Sequence, residues 1–387
     1  MQLIEYKAFC SLPSQKCIVN GWGDVSSCCY QLTQLGSILG GKTVLELWNS
    51  PLAKDIRRET ALGNLHKVCT SWNTCPFQVK ERTPEPFMAY EECEYPTYLE
   101  ICLPNTHCNI GGMSPTPDTA CIMCCRSAVD FNPQPQITDL LCEKSLPLMP
   151  YLKTLCVLGV AEPFWKDAVF EVFKKIDFHK YKHQIQFTTN TNVVCLTEKV
   201  TERFFQEVEY SDISFSLDAA SPNTYLKIRK IDSYHVCIKN LKNYMILRDQ
   251  NGGGGRHKTF IYNNINMLNV SEMPKMIEVA ADLHVDKIIM LPTHDQCGRV
   301  AMGDLILNEK NIDVFKRYSE AARKRADQLS VNLYYSKPFD TLPPPVGQES
   351  GGTPKLVQIK LGLLYGLYFF SYNAAQGEIL NRNRIVF

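Results

Sequence analysis

The sequence predicts an α/β fold, a parallel sheet with crossover helices preceded by a small cysteine-rich segment. Three observations predict it. From residue 98 onward, short apolar runs alternate with longer stretches of helical spacing. A Pro- and Glu-rich stretch at 83–97 reads as a linker. The seventeen cysteines of the 387 residues crowd before and just after that linker, and none follows Cys297.

The elements follow in order. YLEICL (98–103) is the first strand, TLCVLG (154–159) the second and QIQFTT (184–189) the third. ISFSLD (213–218) is the fourth, KTFIYNNI (258–265) the fifth and DKIIML (286–291) the sixth. VNLYYS (331–336) adds a seventh. Helices are expected from Trp165, over 198–208, near 233–248, over 271–283 and over 309–328. Six or more such repeats imply parallel strands joined by helices, although periodicity alone does not decide whether the sheet closes. NGGGG (251–255) lacks the Lys-Ser/Thr of a phosphate loop and reads as a connection into the fifth strand. PPPVGQESGGTP is a tether by composition, and the apolar element at 356–372 is of unclear type. The chain is thus divided into 1–82, a linker 83–97, a sheet region 98–337 and an extension 338–387.

Composition narrows the function. The chain is 45% hydrophobic and 21% charged, with a formal net charge of +1. No strong field favours nucleic acid or an anionic membrane. The longest apolar run, 361–370, is half the roughly 20 residues a spanning helix needs. The N-terminus has no signal-peptide architecture, so a cytoplasmic protein with no membrane or nucleic-acid partner is expected. In a reducing compartment, clustered thiols point to metal or catalysis, and soft thiolates select zinc, copper(I) or iron–sulfur clusters.

Directly after the first strand stands PNTHCNIGGMSPTPDTACIMCCRS. Its TxxCN and CxMCxR parts resemble the cluster loop of radical S-adenosylmethionine (SAM) enzymes. In that family three cysteines hold a [4Fe–4S] cluster and leave one iron for SAM. Here they would be Cys108, Cys121 and Cys124. The interval from Cys108 to Cys121 is twelve residues where the family has three, and the second interval keeps the usual two. On spacing alone, a zinc site or buried unliganded thiols fit as well.

Further motifs stand at successive strand ends. GVAEP (159–163) resembles the family's GxGEP, with Ala161 in place of a glycine, and implies Glu162 beside the SAM amino group. TTNTN (188–192) resembles its TNG segment and implies Asn190. SFSLDAASPNTYLKIR (214–229) is similar to SxDxxxxxxYxxIR. It implies Ser216 and Asp218 on the ribose and Arg229 on the carboxylate, which suits a guanidinium fork. INMLNVSEMP (265–274) implies a polar contact from Asn269, and Met123 would underlie the adenine. The resemblance covers about 97–336 and implies a partial (β/α)6 TIM-like radical SAM barrel with its chemistry at the C-terminal strand ends.

The first 80 residues resemble a second module. Cys10, GWGDVSSCC, LGSI, LELWNSP, IR and CTSWNTC together resemble the auxiliary-cluster domain called SPASM, although that module normally follows the barrel. Cys10, Cys28, Cys69 and Cys75 best fit one auxiliary [4Fe–4S] cluster, with Cys17 and Cys29 as substitutes, and a four-cysteine zinc site fits the bare spacing too.

The resemblance implies reductive cleavage of SAM to a 5′-deoxyadenosyl radical, which takes hydrogen from a substrate carbon. It implies a peptide substrate, matured by a crosslink, an epimerisation or a backbone excision. An electron donor such as flavodoxin or ferredoxin, and a small accessory protein, are the implied partners. A small-molecule substrate, or a zinc-stabilised binding protein without catalysis, are the competing readings. Cys297, in THDQCGRV after the sixth strand, is the candidate hydrogen donor or extra ligand, and His294 beside it a candidate substrate contact; a buried thiol and a plain loop histidine are the ordinary readings of both.

Overall fold

The computed structural model describes residues 12–28, 34–62, 64, 66–70, 93–103, 108–110, 118–124, 137–159, 162–293, 300–308 and 310–335, with the backbone of 356–363, 366–373 and 378–379. Helix α1 (Leu12–Gln15) leads into β1 (Lys16–Val19), β2 (Asp24–Ser26) and β3 (Gln34–Ser37), followed by α2 (Val44–Trp48), α3 (Pro51–Ala61) and α4 (Lys67–Thr70). Next come β4 (Tyr98–Leu103), α5 (Ile137–Ser145), β5 (Thr154–Gly159), α6 (Ala168–Lys175), β6 (Gln186–Thr191) and α7 (Glu198–Glu207). The series continues with β7 (Ser211–Ser216), α8 (Pro222–Arg229), α9 (Tyr234–Gln250), β8 (His257–Ile265), α10 (Met273–Asp282), β9 (Lys287–Pro292), α11 (Ile312–Leu329) and β10 (Leu333–Tyr335).

Strands β4 to β10 lie side by side in chain order, and every neighbouring pair is parallel. A doubly wound sheet reverses its order at a switch point, and this one does not. Right-handed crossovers between consecutive parallel strands put all the helices on one face, which is how a barrel wall is built. This is the α/β class with a parallel sheet that the sequence predicted, in a strand order compatible with a partial barrel. Strand β1 pairs parallel with the free edge of β4, and β2 and β3 add antiparallel, so one ten-stranded sheet results. The apolar element at the C-terminus resolves into an antiparallel sheet of β11 (Leu356–Leu363), β12 (Gly366–Asn373) and β13 (Glu378–Ile379).

Alternation along the strands sorts the residues. Leu99, Ile101, Leu155, Val157, Phe187, Ile213, Phe215, Ile261 and Ile288 are buried on the helix-bearing face. Phe173 there stacks on Phe178 at 4.4 Å and meets Phe187 edge-on at 4.9 Å. Each such buried ring contributes roughly 2 kcal/mol. The opposite face carries Tyr98, Glu100, Cys102, Cys156, Thr188, Asn190, Asp212 and Ser214, paired across strands in register.

Two strand ends and one helix differ from expectation for local reasons. The third strand starts at Gln186 because the amides of Gln184 and Ile185 are held in a turn by the carbonyl of Tyr181. The fourth ends at Ser216, because Leu217 bonds to Phe215 and the Asp218 carboxylate turns to Asn264. Helix α8 went unpredicted, although Ser221-Pro222 is a recognisable helix start.

In the N-terminal segment Thr43 and Glu46 form a reciprocal capping box on α2, and Ser50 caps α3. The Trp48 indole is buried and donates to the carbonyl of Cys93 at 2.8 Å. Arg57 lies over its ring and donates to the Trp48 carbonyl at 3.0 Å. LELWNSP and IR therefore build a small core that clips the residues before β4.

Candidate active site

The C-terminal ends of β6, β8 and β9 meet the cluster loop. Ile122 donates its amide to the carbonyl of Ile228 at 3.0 Å, which docks the loop on α8. The amide of Cys124 turns back to the carbonyl of Cys121 at 2.9 Å. Cys121 is buried, and burial pushes its thiol up to about 12. Arg229 opposes that shift, while Cys124 and Cys108 reinforce it, so the three thiols share one electrostatic neighbourhood. Among the described residues, no three His, Cys, Asp or Glu side chains converge tightly enough to grip a single metal ion.

Arg229 is the hub. Its Nη1 donates to the Cys121 sulfur at 3.8 Å and its Nη2 to the Ser216 carbonyl at 3.1 Å, and it is ion-paired with Asp218. Burial works against its charge, but Asp218 and Cys121 more than offset this and keep it cationic. Asp218, fully buried, also accepts from the amide of Asn264 at 2.8 Å and from its side chain at 3.2 Å. The motif SFSLD…IR thus ties the ends of β7 and β8 to α8 and the cluster loop.

Glu162, also buried, accepts from the Thr191 hydroxyl and the Asn192 amide at 2.7 Å each, and from the Phe164 amide at 3.3 Å. Burial pushes its carboxyl up to about 7, against the pull of those bonds. Asn192 reaches on to Asn109, beside Cys108, at 2.7 Å. Asn190 is half-buried on the helix-free face, opposite Ser214.

Asn269 is committed within the fold. Its side chain donates to the carbonyls of Asp218 and Asn264 at 2.7 Å and accepts from the amide of Asn266 at 2.8 Å. The Met123 sulfur accepts from Asn266 at 3.6 Å and from Thr293 at 3.5 Å, and so pins the loop to the ends of β8 and β9. Sequence reading missed Asn192, Asn264, Asn266 and Thr293. TTNTN and the Asn run from β8 were visible, but which asparagine faces the loop depends on where each strand ends.

It also missed the buried charges. Lys16 of β1 meets Glu100 of β4 at 2.7 Å, and Cys102 donates its thiol to Glu100 at 3.5 Å. Burial raises the Glu100 carboxyl, and Lys16 counteracts it. Cys195 carries a further thiol, raised by burial and by the charges of Glu162 and Cys108.

Of the auxiliary set, Cys28 is half-buried after β2 and Cys69 sits in α4. Cys17 is fully buried in the core, its thiol raised by burial. Cys10, Cys29, Cys75, Cys297 and His294 lie outside the described residues.

Residues 10–76 match SPASM, the iron–sulfur cluster-binding domain. The chain thus resembles radical SAM enzymes that carry a SPASM domain, as its motifs indicated. No curated protein matches the chain. Among solved structures it is similar to Streptococcus suis SuiB bound to the precursor peptide SuiA, at 13% identity over 77% of this chain and 65% of that one, with a TM-score of 0.44. It is similar to anSMEcpe with bound AdoMet and Kp18Cys peptide, at 11% identity over 61% and 63%, with a TM-score of 0.45. A radical SAM methyltransferase from Sphaerobacter thermophilus aligns at 12% identity over 61% and 65%, with a TM-score of 0.41. The chain spans a little under two thirds of the length of these structures, and about half of the SuiB structure without peptide. Among the described residues no helix is long and apolar enough to cross a membrane.

Proposed function

We propose that the chain is a radical SAM enzyme that modifies a peptide. The observation that carries this reading is the buried chain Cys121–Arg229–Asp218, which joins a three-thiol loop to an ion pair at the ends of parallel strands. Cys108, Cys121 and Cys124 would hold a [4Fe–4S] cluster, a donor set of soft thiolates that iron–sulfur groups favour. The buried Cys121 thiol fits such a group, because its thiolate needs a positive partner to replace lost water. Such a cluster, held there with SAM, would supply the electron for reductive cleavage of SAM, the source of the hydrogen-abstracting 5′-deoxyadenosyl radical.

The remaining work falls to the protein. Arg229 presents a cation to the SAM carboxylate, and Asp218 keeps that cation oriented. Ser216 and Asp218 contact the ribose, and Asn190 and Met123 line the nucleoside. Glu162 fixes the end of β6, and an arriving ammonium draws its carboxyl into the charged form. Residues 1–82 act as the auxiliary-cluster module, with Cys10, Cys28, Cys69 and Cys75 as ligands. Flavodoxin or ferredoxin supplies the electron.

The test is anaerobic reconstitution of the full chain with iron and sulfide, then incubation with SAM, a reductant and a precursor peptide encoded beside it. Bound iron, 5′-deoxyadenosine and a mass change in the peptide that needs SAM are expected. Zinc without iron, or iron without SAM cleavage, overturns the reading. Cleavage with a modified small molecule and an unmodified peptide overturns the peptide assignment.

A further inference from the structure

The helix-free face of the sheet holds a cavity of about 560 Å³ between β7, β8, β9 and β10, within the size range of ligand sites. It lies toward the N-terminal halves of these strands. Phe260, Tyr262 and Tyr334 supply aromatic walls, and Lys258 and Lys287 bring two ammonium groups. Tyr334 is half exposed, a large aromatic ring left facing the opening.

The lining carries as many carboxylates as lysines, but none of them is in ion-pair contact with either lysine. Asp286 is taken up by Arg248 at 3.3 Å and by the amide and hydroxyl of Thr259 at 2.7 and 2.8 Å. Asp212 accepts from Gln186 at 3.0 Å and stands opposite Lys258 in register; burial raises its carboxyl while Lys258 opposes the shift. Among the described residues no carboxylate lies within 4 Å of the nitrogen of either lysine. Two ammonium groups without an ion-pair contact, beside aromatic walls, leave room for an anion with apolar neighbours.

The strands provide a ruler. Tyr262 stands in register with Ser216, at the pocket proposed for SAM. Lys258 is four residues back along β8, about 13 Å away at the rise of a strand. We propose that Lys258 and Lys287 bind an acidic side chain of the peptide substrate, three or four residues from the modified residue, with an aromatic or apolar neighbour against Tyr262 and Tyr334. The proposal rests on the peptide-modifying reading, but its test needs no radical chemistry.

The probes are N-acetyl-Tyr-Glu-Phe amide and its glutamine counterpart, each with an uncharged fluorophore, titrated by anisotropy into the reconstituted full chain. The glutamate peptide binds at least about tenfold more tightly to the wild type. That preference collapses in Lys258→Ala/Lys287→Ala, and in Lys258→Glu/Lys287→Glu it passes to a lysine-containing peptide, with circular dichroism checking that each variant is folded. No binding of the glutamate peptide up to about 1 mM, equal binding of both peptides to the wild type, or a glutamate preference that survives both double variants overturns the proposal. A lysine-dependent preference in a chain that cleaves no SAM keeps this site and sinks the radical assignment alone. SAM cleavage without the preference does the reverse.

Discussion

Lys16 and Glu100 form an ion pair of 2.7 Å across the seam between β1 and β4, with both side chains almost wholly buried. Strand β1 belongs to the cysteine-rich segment, and β4 runs directly into the cluster loop. A charge on one therefore neutralises a charge on the other where water does not reach.

Lys16→Met leaves Glu100 buried and unpaired, and should cost about 3 to 5 kcal/mol in urea unfolding. Lys16→Met/Glu100→Leu should recover most of that loss, because neither charge then needs a partner. A double variant no more stable than the single one rules out the pair as the cause.

Glu162 sets a pH dependence. Its carboxyl is raised to about 7 from an ordinary 4.5, so the folded protein holds a proton there that the unfolded chain releases. Between about pH 4.5 and 7 the folded state binds more protons, so this group's share of stability falls as pH rises, by on the order of 3 kcal/mol across the window. Glu162→Gln should flatten that part of the stability–pH curve of the metal-free chain. An unchanged slope would mean the carboxyl is ionised throughout.

Arg229→Ala removes the cation beside Cys121 and strands the Asp218 carboxylate in a buried site. SAM affinity by equilibrium dialysis should fall at least about tenfold. The lysine variant should recover little, because Arg229 uses separate nitrogens for Cys121 and the Ser216 carbonyl. Full affinity in Arg229→Lys would argue against that bridging role.

Cys121→Ala should abolish 5′-deoxyadenosine formation and lower bound iron while leaving the fold intact, as read by thermal melting. Retained SAM cleavage in that variant would remove Cys121 from the ligand set.

Gly159 ends β5 at a φ of +143°, and a Cβ there would stand 2.6 Å from the carbonyl oxygen of Leu103. Gly159→Ala must displace the end of β4, from which the cluster loop departs. A loss of about 2 kcal/mol or more is expected, measured by denaturant unfolding. Wild-type stability in that variant would show that the two strand ends yield easily.

The sequence by itself determined the parallel α/β order, because alternating apolar runs and helical stretches leave few other ways to bury both faces of the strands. It also marked Cys108, Cys121, Cys124, Glu162, Asp218 and Arg229 as candidates, since these stand in short motifs next to strand ends. Only the tertiary structure decided that β1 joins the sheet beside β4, so that Lys16 faces Glu100. It alone chose Asn192 rather than Asn190 to reach the loop, and committed Asn269 to backbone carbonyls. Those outcomes depend on strand register and on which polar groups must be satisfied once buried. Such constraints act between segments far apart in the chain, and a local reading of either segment does not contain them.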